Sequence, residues 1–149
     1  MTKRQKNLEP KVLFNASVVL SGLRSPNGGS GKLLDFVGEK LINGQISEII
    51  LDEILKHSQK LGIPKTTAQK KCLKYFEPIL SEPGLKKVDK YTKKVIDEGD
   101  AHVLASYEEG SCNYLVTLDK KHLLSLKGKI KGFNIYTPGE LIQLLKIKI

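Results

Sequence analysis

The sequence lacks the long apolar runs that a membrane span or a secretion signal requires. Its longest unbroken apolar stretches are only a few residues long, whereas a helix needs about 20 consecutive apolar residues to cross a bilayer. Residues 1–10 are basic and lack the apolar core of a secretory signal. We therefore expect no contact with a membrane and a cytoplasmic location.

Cysteine and histidine are scarce and carry no metal-binding spacing. Cys72 and Cys112 are isolated, which excludes a disulfide framework and a cysteine-rich zinc site and agrees with a reducing, cytoplasmic environment. The three histidines, His57, His102 and His122, do not form an HExxH motif. We expect each of them to be a structural or surface residue rather than a catalytic base.

A loop rich in glycine and serine, SGLRSPNGGSGK at residues 21–32, lacks the pattern of a nucleotide-binding P-loop. That pattern needs glycine where Pro26 stands and serine or threonine where Leu33 stands, so ATP and GTP binding are excluded here. Two interpretations stay open: backbone N–H groups that bind a nucleic-acid phosphate, or a plain linker with Ser30 as helix cap. No serine or cysteine lies in a recognisable nucleophile motif.

Acidic residues are few beside the basic ones. The chain has 25 Lys and Arg against 16 Asp and Glu, a net charge of +9. Such an excess favours a polyanionic partner, because lysines near phosphates release condensed counterions; a surface that only confers solubility is the open alternative. Of the 25 cations, 23 are lysine, which suits contact with phosphates better than recognition of bases. The more specific hypothesis is therefore that the protein binds the sugar-phosphate backbone of a nucleic acid without strong sequence readout.

The length fits one domain at residues 11–149, after a basic arm at residues 1–10 that we expect to be disordered. Apolar runs typical of strands alternate with helical patterns, and parallel strands are usually joined through helices. The sequence therefore predicts an α/β fold with a parallel sheet. The predicted strands are 11–20, 45–51, 114–117 and 133–136; the predicted helices are 32–43, 52–61, 64–76, 97–110 and one from Thr137 onward, with a short helix within 77–94.

The most informative stretch is DEGDAHVLASYEEGSCNYLVTLDKKHLL at residues 97–124. Asp97 and Asp100 lie just before or within the first turn of its predicted helix, and a second helix start follows Asp119. Asp119 comes directly after a continuous apolar strand, and ligands bind outside the carboxyl ends of strands in open α/β sheets. Asp119 is therefore a candidate site residue.

This stretch resembles the C-terminal half of a PIN domain, the metal-dependent ribonuclease fold of VapC-like toxins in toxin–antitoxin pairs. The resemblance extends from about Lys11 to the C-terminus, through the first strand, the loop and helix that follow it, and a terminal strand followed by a Thr-Pro helix start. It implies a three-layer sandwich in which helices flank a mostly parallel sheet with strand order 3-2-1-4-5.

The resemblance also implies a site for Mg²⁺ or Mn²⁺. Asp100 and Asp119 would be its principal ligands, and Glu53 would be a further ligand or the base that orients a water. Acidic residues are also common at helix N-termini because they interact favourably with the helix dipole, so a purely structural role of Glu53 stays open. Asp52 is the alternative to Glu53 as the ligand. Asp97 would either replace a missing ligand or hydrogen-bond to one of the residues that bind the metal.

One block departs from the family pattern. PIN domains commonly have Asp-Thr-Asn after the first apolar run, and this chain has Asn15-Ala16-Ser17, so the first metal-binding carboxylate is an amide. Asn15 still offers a carbonyl oxygen, but the site loses one negative charge and metal affinity should fall. The change could be natural, engineered, or compensated by a neighbour such as Asp97.

The resemblance implies a PIN-type ribonuclease that hydrolyses phosphodiester bonds in single-stranded RNA, and the carboxylate missing at Asn15 predicts impaired activity. The resemblance implies that it could be the toxin of a toxin–antitoxin pair, with an antitoxin protein as partner and a homodimer as its assembly. The alternative is a catalytically inactive PIN-like module that binds RNA or a protein. A receiver-like signalling domain is disfavoured, because no acidic pair follows the first strand.

Overall fold

The computed structural model describes residues 9–95 and 98–148. Its centre is a four-stranded sheet in which every neighbouring pair of strands is parallel, with the order β2-β1-β3-β4. The strands are β1 (Lys11–Phe14), β2 (Asn43–Gln45), β3 (Tyr114–Val116) and β4 (Ile135–Tyr136). The predicted basic arm falls on residues 1–10, and residues 1–8 lie outside the described part.

In the described part of the chain, seven α-helices flank the sheet. They are α1 (Ala16–Arg24), α2 (Gly29–Gly38), α3 (Glu48–Ser58), α4 (Lys65–Tyr75), α5 (Leu85–Thr92), α6 (Glu98–Glu109) and α7 (Pro138–Lys148). Helix α1 packs on α2 and α3, and α5 packs on α6. Within the described ranges, no helix has the length and the apolar character needed to cross a bilayer.

The predicted α/β fold with a mostly parallel sheet is confirmed, and the sheet is one strand shorter than the order 3-2-1-4-5. The observed order β2-β1-β3-β4 corresponds to strands 2-1-4-5 of that order, so that strand 3 is the one missing. At the outer position a single parallel bridge joins Ser47 to Leu80, where Leu80 N–H donates to the carbonyl of Ile46 at 3.0 Å. The chain therefore keeps the arrangement of the sheet while its outermost strand is reduced to one bridge.

The first predicted strand, 11–20, is wrong beyond Phe14. Asn15 caps helix α1, and its Oδ1 accepts a hydrogen bond from Ser17 N–H at 3.4 Å. Val18 and Val19 are fully buried, but they lie on the helix and not on a strand. Their β-branched side chains favour a strand locally, and the cap together with burial against neighbouring helices overrides that preference.

The predicted strand 45–51 and the helix start at Asp52 are also wrong. Strand β2 ends at Gln45, and α3 begins at Glu48 because Ser47 Oγ accepts a hydrogen bond from Ile50 N–H at 3.1 Å. The Asn43-Gly44 pair, predicted to end a helix, lies in β2 instead. A Cβ atom on Gly44 would come within 2.7 Å of Val37 Cγ2, so the close approach of α2 to β2 requires glycine here.

The C-terminal predictions are confirmed more closely. Strand β3 is buried throughout, as its continuous apolar character indicates. Helix α7 begins at the predicted Thr-Pro helix start and has a capping box: Thr137 N–H donates to Glu140 Oε1 at 2.9 Å, and Glu140 N–H donates to Thr137 Oγ1 at 3.2 Å. The second helix start predicted after Asp119 is a turn followed by a single 3₁₀ turn at Leu124–Leu126.

Both cysteine thiols should be unreactive in the folded protein. Burial raises the pKa of Cys72 to about 11 and that of Cys112 to about 12, and the thiolate is the reactive species. We expect a thiol reagent such as DTNB at pH 8 to label both cysteines slowly in native protein and rapidly in guanidinium chloride. Rapid stoichiometric labelling of either thiol in native protein would contradict this packing.

Candidate metal centre

Three side chains that can bind metal come together at the carboxyl edge of the sheet. Asp100 lies in the first turn of α6, Asp119 follows β3 by three residues, and His122 lies in the turn after it. One ligand atom from each of them lies within 4.8 Å of the other two, and all three residues are half-buried. The structure thus brings together the two aspartates that the sequence singled out.

The sheet register places the Asp119 turn beside the end of β1. Phe14 pairs with Val116, and Asn15 N–H donates to the carbonyl of Val116 at 3.0 Å. On the other side, Thr117 N–H donates to the carbonyl of Tyr136 at 3.0 Å. The chain segments that leave β1 and β3 are therefore held next to each other.

Asp119 and His122 form a local pair. The backbone N–H of His122 donates to Asp119 Oδ1 at 3.0 Å, and His122 Nδ1 lies 3.1 Å from Asp119 Oδ2. The sequence predicts a structural or surface role for His122, because motif spacing does not show a ligand that a turn supplies. Its place three residues after a candidate aspartate was the available signal.

Asn15 is 9% exposed, and hydrogen bonds link it to the Asp119 turn. Ser17 Oγ donates to Asn15 Oδ1 at 2.8 Å and accepts from Leu118 N–H at 3.2 Å. The carbonyl oxygen of Asn15, its one possible metal ligand atom, therefore already serves the serine hydroxyl and the helix cap. An aspartate here would keep these bonds and offer a second, charged oxygen.

The remaining predicted ligands are not part of this group. Because α3 begins at Glu48, Glu53 lies in the second turn of the helix rather than the first, and both Asp52 and Glu53 are exposed. Neither contributes a ligand atom to the three-residue group. Asp97 lies outside the described residues. The ligand roles of Glu53 and Asp97 stay predictions.

The donor set fits a divalent cation. Two carboxylates supply the hard oxygen ligands that Mg²⁺ and Mn²⁺ prefer, and an imidazole is more typical of later transition metals than of Mg²⁺. Neighbouring carboxylates repel each other, so a cation between them stabilises the arrangement. The two residues after Asp119 are exposed lysines, Lys120 and Lys121, which place positive charge at this edge.

Comparisons with known proteins agree with this description. Solved structures with a similar fold include PAE2754 from Pyrobaculum aerophilum, with a TM-score of 0.61, 21% identity and coverage of 93% of this chain and 90% of that chain. VapBC2 from Rickettsia felis, bound to a DNA fragment from its promoter, has a TM-score of 0.61 and 16% identity, with 85% and 98% covered. FitAB, bound to the IR36 DNA fragment, has a TM-score of 0.61 and 19% identity, with 85% and 94% covered.

No curated protein sequence matches the chain. The family comparison is more informative, because the PIN domain family matches residues 11–121. This range includes β1 to β3 and the two aspartates of the metal-binding group, and it ends one residue before His122. The chain therefore belongs to the PIN domain family, whose members are generally metal-dependent nucleases.

Proposed function

We propose that this protein is a metal-dependent endoribonuclease in which Asp100, Asp119 and His122 hold Mn²⁺ or Mg²⁺. The observation that carries the proposal is the convergence of these three ligand atoms within 4.8 Å at the sheet edge where ligands bind in α/β folds. Glu53 and Asp97 remain proposed contributors of negative charge. The basic surface of the protein, with a net charge of +9, suits an RNA substrate.

Each residue of the site would have a separate role in the proposed hydrolysis. A bound divalent ion supplies Lewis-acid activation of a phosphoryl oxygen and of a water molecule. The carboxylates of Asp100 and Asp119 and the imidazole of His122 would hold that charge in place, and the hydrogen bond between His122 Nδ1 and Asp119 Oδ2 would orient the second carboxylate. Lys120 and Lys121 draw the phosphodiester toward this edge.

Asn15 impairs this site in our proposal. The amide adds no charge to offset that of the ion, and its carbonyl oxygen already accepts from Ser17. Two donor carboxylates rather than three weaken the hold on a hard cation, whose dehydration they must offset. Cleavage that needs millimolar Mn²⁺ is the behaviour we expect.

The test compares Asp100→Asn with the unchanged chain in cleavage of a short single-stranded RNA with Mn²⁺. We expect the substitution to lower the cleavage rate by roughly 100-fold, because it removes a ligand charge worth several kcal/mol to the transition state. Mn²⁺ binding followed by calorimetry should weaken in parallel. Asp35→Asn, the same change at an exposed residue of α2, is the control and should leave both unchanged.

Equal cleavage by the unchanged chain and Asp100→Asn would contradict the proposed site. The second candidate function is a non-catalytic module that binds RNA or a protein, and the occupied carbonyl oxygen of Asn15 favours it. Absence of cleavage by the unchanged chain, with cleavage gained in Asn15→Asp, would mean a disabled nuclease. Absence of cleavage in both would leave the binding module.

We also propose that the protein is the toxin of a toxin–antitoxin pair, with a small antitoxin protein as partner and a homodimer as its assembly. The similar folds of VapBC2 and FitAB, each bound to DNA, support this proposal. A mass measurement in solution separates the monomer from the homodimer.

A further inference from the structure

A cavity lies at the edge of the sheet opposite to the metal-binding group. It has a volume of about 350 Å³, within the lower part of the range of roughly 300–1,000 Å³ found for ligand sites. Cys112 and Phe133, which line it, each precede a strand by two residues, β3 and β4 respectively. Because the strands are parallel, this places the cavity at the amino edge; we call it the amino-edge cavity.

Packed aromatic rings form one wall of the amino-edge cavity. The ring of Phe133 lies 5.5 Å from that of Tyr91 and 4.5 Å from that of Tyr107, centroid to centroid. Phe133 remains half-buried, whereas both tyrosines are at least 96% buried. Phe133 therefore contributes a partly exposed aromatic ring to the cavity wall, and its neighbours fix the orientation of that ring.

The rim of the amino-edge cavity is cationic. Lys90, Lys94 and Lys131 line it, and Glu108 is its one acidic residue among the described residues. Glu108 is already bound, by Lys90 Nζ at 2.7 Å and by the hydroxyl of Tyr91 at 2.9 Å. The bond from Lys90 holds the pKa of Glu108 below its usual value, so this acid is ionised and neutralised at pH 7.

Two of the rim lysines keep their charge available. Across residues 9–95 and 98–148, neither Lys94 nor Lys131 forms an ion pair with an acid, and both are exposed. Lys94 Nζ lies 5.8 Å from the centre of the Tyr91 ring. The cavity thus offers, beside an aromatic surface, two ammonium groups that have no ion-pair partner among the described residues, which matches the phosphate and the base of a nucleotide.

A basic segment connects the amino-edge cavity with the metal-binding group. The crossover from β3 to β4, residues 117–134, starts at the carboxyl edge and must return to the amino edge because the two strands are parallel. Asp119 is its only acid. Its lysines are all exposed, and they are Lys120, Lys121, Lys127, Lys129 and Lys131. Only Lys127 has an ion-pair partner among the described residues, Glu140.

We propose that a single RNA strand occupies both edges of the sheet. Its scissile phosphate lies at the metal-binding group, its backbone follows the lysines of the 117–134 crossover, and one nucleotide enters the amino-edge cavity. There Lys94 and Lys131 bind its phosphates and Phe133 stacks on its base. This inference rests on the proposed ribonuclease function and adds to it a subsite for a substrate nucleotide remote from the cleaved bond.

The length of RNA required follows from the sheet. Cys112 and Asp119 are seven residues apart, which at roughly 3.3 Å per extended residue separates the two sites by about 20 Å. A stacked trinucleotide spans only about 7 Å, at roughly 3.4 Å per nucleotide, and cannot reach both sites. A strand of 16 nucleotides reaches both.

The test measures binding of fluorescein-labelled single-stranded RNA by anisotropy in EDTA, so that no cleavage occurs. The full chain is compared with Lys94→Gln/Lys131→Gln and with the control Lys65→Gln/Lys70→Gln, which removes two exposed lysines of α4. For the 16-nucleotide RNA we expect the first variant to bind about tenfold more weakly at 0.15 M KCl, with a salt slope smaller by about 1.4, since each phosphate contributes about 0.7. The control and the trinucleotide should show little change.

Phe133→Leu supplies a second readout, because it retains an apolar side chain and removes the stacking surface. It should weaken binding of the 16-nucleotide RNA by roughly fivefold or more with the salt slope unchanged, in protein whose circular dichroism spectrum is unaltered. Ultraviolet crosslinking of a terminal 4-thiouridine should mark the peptide that contains Phe133.

Three outcomes would overturn the inference. They are unchanged binding by Lys94→Gln/Lys131→Gln, an equal loss in both lysine variants, and tighter binding of a 16-residue polyglutamate than of RNA with the same dependence on Lys94 and Lys131. The last would assign the amino-edge cavity to an acidic protein segment. Because binding is measured without metal, the test of the subsite is separate from the test of cleavage. If the protein does not cleave RNA but its RNA binding depends on Lys94 and Lys131, the proposed function is rejected and the subsite is retained.

Discussion

Asn15→Asp is expected to raise the affinity for Mn²⁺ by roughly 10- to 100-fold, and RNA cleavage at limiting Mn²⁺ with it. The new carboxylate places a full negative charge at the end of β1, where hydrogen bonds through Ser17 connect it to the Asp119 turn. At an effective dielectric constant near 20, a pair of opposite charges at close range interacts by a few kcal/mol, part of which desolvation cancels. One to two powers of ten in affinity correspond to about 1.4–2.7 kcal/mol.

The substitution should leave the fold intact, because aspartate and asparagine cap helices equally well. It should nevertheless lower the thermal stability slightly in EDTA, since carboxylates then face each other without a cation. Saturating Mn²⁺ should raise that stability above the value of the unchanged chain under the same conditions. Calorimetric titration and thermal melts measure both effects.

Asn27→Asp provides the matched control, since it is the same change at an exposed residue of the loop between α1 and α2. It should alter neither Mn²⁺ affinity nor cleavage. If Asn15→Asp binds Mn²⁺ no more tightly than this control, position 15 lies too far from the ion to act as a ligand, and the impairment that we attribute to Asn15 has another cause.

Leu115→Ala is expected to lower the free energy of unfolding by roughly 2–5 kcal/mol. Leu115 is fully buried at the centre of β3, between β1 and β4, and truncation leaves a cavity that the surrounding strands cannot fill. Because a domain of this size has only about 5–15 kcal/mol of stability, the variant should be largely destabilised at 37 °C. Urea unfolding followed by circular dichroism measures the change.

Leu85→Ala makes the same chemical change at a leucine that is 78% exposed. Its effect should stay within about 0.5 kcal/mol. Similar losses of stability in the two variants would show that β3 is not the buried centre of the sheet. A loss confined to Leu115→Ala should also weaken Mn²⁺ binding above the temperature at which that variant begins to unfold, because β3 positions Asp119.

The sequence was most informative where local pattern and tertiary position agree. A continuous apolar strand followed by an aspartate singles out Asp119, and the resemblance to PIN domains adds Asp100 at the start of a helix. The strand boundaries failed where β-branched residues occur in helices: Val18 and Val19 lie in α1, and Ile49 and Ile50 lie in α3. In these helices side-chain caps and burial outweigh the local preference for a strand.

Other features depend on distances in space that no sequence pattern reports. His122 enters the metal-binding group only because the chain turns after Asp119. The amino-edge cavity combines segments from α5, from the end of α6 and from the residues before β4. The outermost strand shrinks to the bridge at Ser47 and Leu80, because α3 begins at the next residue.

The Ser17 hydroxyl ties the first turn of α1 to the turn after β3, since it bonds to Asn15 on one side and to Leu118 on the other. Fraying of that first turn therefore releases the backbone next to Asp119 while the sheet is still formed. Such local openings require less free energy than global unfolding. We therefore expect the proposed metal site to depend on the local stability of this helix end, and to be lost in protein whose sheet is still folded.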